Sequence, residues 1–268
     1  MSEHNPEISQ LARLLRVVLE LREQCPWDRK QKLADLGKYL IEEAYEAADA
    51  ITRGDPLAIA DELGDLLVQV MFAAVVAQQE KLLPLLSLVG KAADKLVRRH
   101  PHVYGPAQAE TAAEVVANWH QIKREERKAE GLHSALDGVA RALPALMRAQ
   151  KLGTRARQAG MDWTDIHEVL AKVREEMDEL EGALAADDRD AAAGELGDML
   201  LALGNAPRFI GYDAEETLRR ACDKFVHRFE NVELIAATRG LELTKMTPVE
   251  LESLWQEAKR LDPAAATK

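Results

Sequence analysis

Two acidic spacings, each present twice, constrain this chain most. Glu43 and Glu46 are followed by Glu62 and Asp65, and Glu176 and Glu179 by Glu195 and Asp198. Each member of the second set lies 133 positions after its counterpart in the first. Residues three apart in an α-helix share a face, so each pair points one way. Between the pairs of the first copy stands Thr52-Arg53-Gly54-Asp55-Pro56, a turn signal that separates two helices. Gly54 is the midpoint of both Glu46–Glu62 and Glu43–Asp65. Residues equidistant from the turn of an antiparallel helix hairpin face each other, so the four carboxylates are expected to converge. Asp187, within Ala185-Ala186-Asp187-Asp188, centres the second copy in the same way.

Converging carboxylates repel. One like-charged pair at ~4 Å costs on the order of 4 kcal/mol at an effective dielectric of about 20. The cluster must therefore be protonated, exposed or neutralised by a cation. An all-oxygen donor set suits a hard divalent ion, and Mg2+ characteristically bridges carboxylates and phosphates, with Mn2+ a possible substitute. The plain alternative is a pair of solvated acidic helix faces. Duplication with the internal spacing preserved favours the metal.

The 268 residues suffice for two domains of ordinary size, and 47% of them are hydrophobic. Aromatics are only 4%, and apolar alternation is scarce, so an all-α fold is expected. The net charge of −11, without a Lys/Arg block, disfavours nucleic acid and anionic membranes as partners. Cys25 and Cys222 have no metal-type spacing, no apolar leader follows Met1, and the apolar run 66–77 is too short to span a bilayer. A soluble cytoplasmic protein is the expectation.

In chain order, residues 8–24 read as an amphipathic helix with Leu11, Leu14, Leu15, Val18 and Leu21 on one stripe. Trp27 reads as a core or pocket-wall aromatic. The acidic helices are expected at about 33–52 and 56–80, with Leu63, Leu66, Leu67, Val70, Met71 and Ala74 forming a buried stripe on the second. Gly64 and Gly197 fall inside helices, where tight packing or room for a ligand explains them. Lys95 and Arg99, one turn apart, can grip a phosphate or simply complement a helix end. His100 and His102 lack partners that complete a metal set. The second half retraces the first: a helix over 143–159, acidic helices at 168–182 and 189–206 closed by Pro207, and a basic segment from Lys224 to Arg228. Trp255 and Lys259 answer Trp119 and Lys123. The expected organisation is two tandem duplicated helical-bundle domains, 1–130 and 131–262, with a disordered tail over 263–268.

Each half thus joins an acidic cluster, cationic side chains and a tryptophan. That trio suits a nucleotide polyphosphate, with metal and cations on the phosphates and an indole able to stack any base. Water is then the natural attacker, and Glu42 and Glu175, each rotated ~100° from the metal face, are candidate bases or solvated residues.

These residues resemble a known family. Cys25-Pro-Trp-Asp, Glu42-Glu-Ala-Tyr-Glu, Glu62-Leu-Gly-Asp-Leu-Leu and Arg98-Arg-His-Pro-His-Val are similar to the motifs of the two-domain MazG nucleoside triphosphate pyrophosphohydrolases, and the likeness runs from about residue 8 to 261. The resemblance implies an all-α homodimer that hydrolyses NTP to NMP and pyrophosphate with Mg2+ and broad base tolerance. It implies activity in the C-terminal domain, with Glu176, Glu179, Glu195 and Asp198 as metal ligands. It also implies nucleotide contacts from Lys172, Glu175, Lys224, Arg228 and Trp255, to which Lys259 is added, and catalytic work by Lys172, Glu175, Glu176 and Glu179. Glu43, Glu46, Glu62 and Asp65 are the candidate second metal set. Lys172 lies one turn before Glu176, whereas its N-terminal counterpart is the uncharged Tyr39. The family's double arginine on the basic helix is here His227-Arg228. Rival readings are a related enzyme with a narrower substrate (dUTP, a modified nucleotide or phosphoribosyl-ATP) and a non-catalytic nucleotide-binding regulator. A di-iron bundle is disfavoured, because Asp65 and Asp198 stand where histidine is needed.

Overall fold

The computed structural model describes residues 5–129, 131 and 134–261. The expected tail at 263–268 lies outside them. Among the described residues every regular element is helical. The chain divides into two compact units, Met1–Glu126 and Arg127–Lys268.

In the first unit, α1 (Pro6–Gln24) starts under an Asn5 cap that accepts from the Glu7 amide. The long pair α2 (Leu33–Arg53) and α3 (Pro56–Gln79) forms the expected hairpin. Gly54 ends α2 at φ +73°, a left-handed conformation that glycine adopts without penalty. Asp55 then caps α3 through the Leu57 amide, with Pro56 at its first position. The core of this unit joins Val18, Leu36, Phe72, Val75 and Val76 from all three helices. Arg22, buried at 8% exposure, crosses its edge by donating to Gln79 Oε1 at 2.8 Å and to the carbonyls of Asp28 and Gln31, with its guanidinium over the Phe72 ring. Helices α4 (Leu85–Arg99), α5 (Pro101–Tyr104) and α6 (Ala112–Ala129) complete the unit.

The second unit begins with α7 (Ala145–Gln158), followed by the hairpin of α8 (Ile166–Ala185) and α9 (Arg189–Leu203). Its turn repeats the logic of the first with different chemistry. Asp187 takes the left-handed conformation at φ +54°, one that Asp tolerates better than most residues, and Asp188 caps α9 through the Ala191 amide. α9 stops at Leu203, and Pro207 opens a short 3-10 turn, so the proline lies beyond the helix end rather than closing it. α10 (Ala214–Arg239) packs on α11 (Pro248–Leu261) through Val232, Ile235, Leu254 and Ala258.

Three apolar expectations need correction. The α3 stripe is buried only toward its C-terminal end, and Leu63, Leu67 and Val70 stay 45%, 38% and 49% exposed. Of the α1 stripe only Val18 is fully covered, while Leu11 and Leu21 face solvent. Trp27 is 60% exposed and is not a core aromatic.

Candidate functional site

The hairpins bring carboxylates together in both units. Oxygens of Glu43, Glu62 and Asp65 all lie within 4.8 Å of one another, and so do those of Glu176, Glu179 and Glu195. Convergence is thus three of four in each copy. Glu46 stays outside the first triplet as an exposed side chain, and Asp198 stays outside the second.

The two triplets differ electrostatically. Burial and the neighbouring Asp65 and Glu46 push the Glu43 carboxyl above its ordinary value of 4.5, partly offset by a 3.5 Å hydrogen bond from Gln69 Nε2. Glu62 is raised as well, by burial and by Glu46. In the second unit Lys172 Nζ sits 2.6 Å from Glu176 Oε1 and 2.9 Å from Glu175 Oε1. That ammonium holds Glu176 below the usual carboxylate range although the residue is only 4% exposed. Lys172 is correspondingly held protonated. Glu195 moves the other way, raised by burial and by the adjacent Glu176 and Glu179.

The remaining candidates spread over the same unit. Lys224 lies on α10 beside His227 in a groove lined by Ile210, Tyr212 and Arg220. Arg228 is one turn further along α10. Trp255 on α11 packs on Phe225 with ring centroids 5.4 Å apart, and Lys259 Nζ is 5.9 Å from its centroid. In the first unit Arg99, one half of the Lys95–Arg99 pair read as a phosphate grip, is already engaged. Arg99 donates to Glu126 Oε2 at 2.5 and 3.0 Å, and Arg98 joins it on Oε1. Lys123 Nζ is 4.2 Å from the Trp119 centroid. A Cβ at Gly64 or Gly197 meets nothing within 4 Å, so tight packing within the chain does not explain either glycine.

A cavity of about 520 Å³ opens beside Lys172, lined among others by Leu152, Met161, Trp163, Leu201 and Asn205. Sequence reasoning missed it. Asn205 is 2% exposed. Its Nδ2 donates to the Leu201 carbonyl at 2.9 Å, which fixes the amide orientation, and its Oδ1 has no partner. An unsatisfied buried acceptor costs about 1–3 kcal/mol. Oδ1 reaches this spot only because residue 153 is glycine, since a Cβ there would come within 1.6 Å of it. An ion pair between Arg208 and Asp162 ties the 207–210 turn to the rim. The only sequence signals were a glycine inside α7 and an asparagine at an otherwise apolar helix end.

The MazG nucleotide pyrophosphohydrolase domain matches residues 31–104 and 165–233, covering both hairpins. The chain is 45% identical to the nucleoside triphosphate pyrophosphohydrolase of Escherichia coli K12 over 94% of its own length and 98% of that protein. The chain belongs to the MazG family. It is also 36% identical to the nucleoside triphosphate pyrophosphohydrolase/pyrophosphatase MazG of Thermotoga maritima, over 92% of this chain and 94% of the other. A crystal structure of a mazG-related protein from Thermotoga maritima covers 42% of this chain and 98% of that chain at 27% identity, with a TM-score of 0.39. No described helix of this MazG chain is long and apolar enough to cross a membrane.

Proposed function

We propose that this MazG protein hydrolyses nucleoside triphosphates to the monophosphate and pyrophosphate, with Mg2+ and with broad tolerance of the base, as a cytoplasmic homodimer serving nucleotide-pool control. The observation that carries the reading is the Glu176–Glu179–Glu195 triplet with Lys172 hooked onto it. Three carboxylate oxygens within 4.8 Å fit a hard divalent ion, and Asp198 is one turn of α9 from Glu195. When bound, Mg2+ supplies positive charge against the polyphosphate; Mn2+ is the natural substitute. Glu43, Glu46, Glu62 and Asp65 are the proposed second ligand set.

The chain's own groups then divide the work. Lys172, held protonated on Glu176, is placed to give its ammonium to a phosphate oxygen, and Glu176, Glu179 and Glu195 would hold the cation. Glu175, 2.9 Å from Lys172, stands off the cluster and takes a proton from water as its oxygen bonds to the α-phosphorus. The bond from that phosphorus to the α–β bridging oxygen breaks, and pyrophosphate leaves. Lys224, Arg228 and Lys259 are proposed cations for the phosphates, and Trp255, packed on Phe225 between α10 and α11, is a proposed nucleotide contact. The dimer is supported by the apolar faces left bare on both hairpins, including Leu63 and Val70, and Met177 and Leu196 at 45% and 49% exposure.

Product analysis of ATP and GTP with Mg2+ tests the reaction. Pyrophosphate is the expected product, orthophosphate as first product overturns it, and light scattering on the full chain reads the assembly. Comparing dUTP with the four ribonucleotides separates broad from narrow specificity.

A further inference from the structure

We propose that Arg98 and Arg99, at the end of α4, form a binding site for a diphosphate group on the first unit, closed in this structure by the Glu126 carboxylate of α6. Geometry is the first observation. Side chains at consecutive helical positions diverge by ~100°. Both guanidiniums nevertheless close on one carboxylate. Arg98 brings Nε and Nη2 to 2.8 and 2.6 Å from Glu126 Oε1, and Arg99 brings the same pair to 3.0 and 2.5 Å from Oε2. Two planar forks meeting two oxygens make the arrangement by which arginine grips phosphate. Charge is the second observation. Two cations meet one carboxylate, so the clamp keeps a formal charge of +1 within a chain of −11. It does so half out of water, with the Arg99 and Glu126 side chains 19% and 14% exposed, while Arg98 at 56% leaves an approach from solvent. Hydrogen bonds from Arg99 and then Arg98 hold the Glu126 carboxyl below its ordinary value. A diphosphate carries more charge and more acceptors than a carboxylate, so it matches two arginines better.

The surroundings fit the same ligand. Trp119 lies beside the clamp, its ring centroid 5.8 Å from the Arg99 guanidinium carbon and 4.2 Å from Lys123 Nζ. Lys95 is exposed one turn before Arg99 on α4. Lys95, Arg99, Trp119 and Lys123 answer Lys224, Arg228, Trp255 and Lys259 of the second unit, and in this one step the inference rests on the phosphate contacts proposed there. Opening the clamp also disturbs little. Among the described residues no side chain of α4, α5 or α6 is fully buried, so no apolar core has to part when Glu126 leaves. A diphosphate group reaches the protein as free pyrophosphate, the product of the proposed reaction, or on a nucleoside diphosphate, whose base an indole can stack. The plain alternative is a structural tie that pins α6 to α4. The two readings part at Glu126: a competitor weakens anion binding, and a structural tie supports it.

Tryptophan emission of the full chain, titrated with inorganic pyrophosphate in chelator so that the carboxylate triplets hold no ion, tests the site without turnover. Trp119 reports the clamp because Arg99 stands over its ring. The emission change is expected in the parent and in Arg228→Gln, and should be absent in Trp119→Phe. Arg99→Gln should weaken binding about tenfold, the scale of one lost charge-assisted contact, and Arg99→Lys, which keeps the charge without the fork, should fall between. Glu126→Gln should strengthen binding about tenfold, because the internal competitor loses its charge. Unchanged or weaker binding in Glu126→Gln overturns the proposal and leaves a structural tie. A signal that survives Trp119→Phe or vanishes in Arg228→Gln also overturns it, by placing pyrophosphate in the second unit. Titration with ADP separates the two sources: tighter binding than pyrophosphate assigns the site to a nucleotide, and weaker binding assigns it to the free ion. If neither ligand binds the parent or Glu126→Gln, no such site exists. A parent that releases no pyrophosphate from ATP sinks the proposed function instead, and the titration still decides the clamp.

Discussion

The two hairpins share turn positions and acidic spacing, although α3 runs 24 residues and α9 only 15, yet they solve the same electrostatic problem differently. In the first, Glu43, Glu62 and Asp65 converge, and burial and mutual repulsion raise Glu43 and Glu62 above their ordinary value. In the second, Lys172 supplies a built-in cation and Glu176 stays ionised while almost fully buried. The residue at the Lys172 position of the first hairpin is Tyr39, which packs on the core beside Leu36 and carries Lys38 over its ring at 4.6 Å. The space behind the cluster differs in step: a cavity in one unit, a core containing Phe72 in the other. The scaffold is common to both units, and a few residue differences give one a lysine and a cavity beside its carboxylates and the other a filled core.

The largest expected effect breaks the structural side of that contrast. Phe72→Ala removes the ring that fills the first unit, and core Phe→Ala changes cost about 3–5 kcal/mol. Urea unfolding of the full chain, followed by hydrogen exchange to resolve the units, should show the loss confined to residues 5–126. Exchange that rises equally in both units would mean that the two do not unfold separately.

Next comes catalysis. Glu179→Gln removes a charge from the exposed member of the second triplet and is expected to lower kcat by about 100-fold or more, with the circular dichroism unchanged. Glu46→Gln, outside the first triplet, is expected to change kcat less than about twofold. Equal effects from the two variants would erase the division of labour.

Lys172→Met tests the built-in cation with an uncharged chain of similar reach, so that the cavity wall is kept. It is expected to lower kcat/KM by about tenfold. Without the ammonium, the Glu176 carboxyl moves upward toward the condition of Glu43, so the acid limb of the pH–rate profile at subsaturating Mg2+ should shift to higher pH. An acid limb that stays where it was would show that Lys172 acts on the substrate alone.

Much of this was legible in the sequence because helical geometry is local. Midpoint symmetry about Gly54 and Asp187 located both turns, and the i,i+3 spacing located the faces that meet. The buried state of Leu63 and Val70 was misjudged because apolar periodicity reports which face seeks cover and does not report whether this chain supplies it. The Arg98–Arg99 clamp on Glu126 was invisible because the partners are 27 or 28 residues apart on different helices. The cavity escaped for a similar reason. Gly153 and Asn205 meet across α7 and the end of α9, and neither residue alone signals a pocket.

The smallest effect concerns stability without metal. Glu43 has a folded value raised above that of the unfolded chain, so the folded unit binds the proton more tightly. Its ionisation therefore works against folding. The first unit should gain stability as pH falls from neutrality through the raised value to the ordinary 4.5, and nothing further from this group below that. Glu176 has the opposite sign: its contribution is complete above 4.5 and is lost as pH falls through its lowered value. Glu43→Gln should accordingly raise the melting temperature of the first unit at pH 7 in chelator by about 2 °C and lose that advantage near pH 4.5. Excess Mg2+ should also remove the advantage if the first triplet takes the ion, because a bound cation relieves the same repulsion that the substitution removes. Calorimetry at the two pH values, with and without Mg2+, reads all of this. A Glu43→Gln gain that survives saturating Mg2+ would mean that the first triplet is an acidic face that holds protons and no metal.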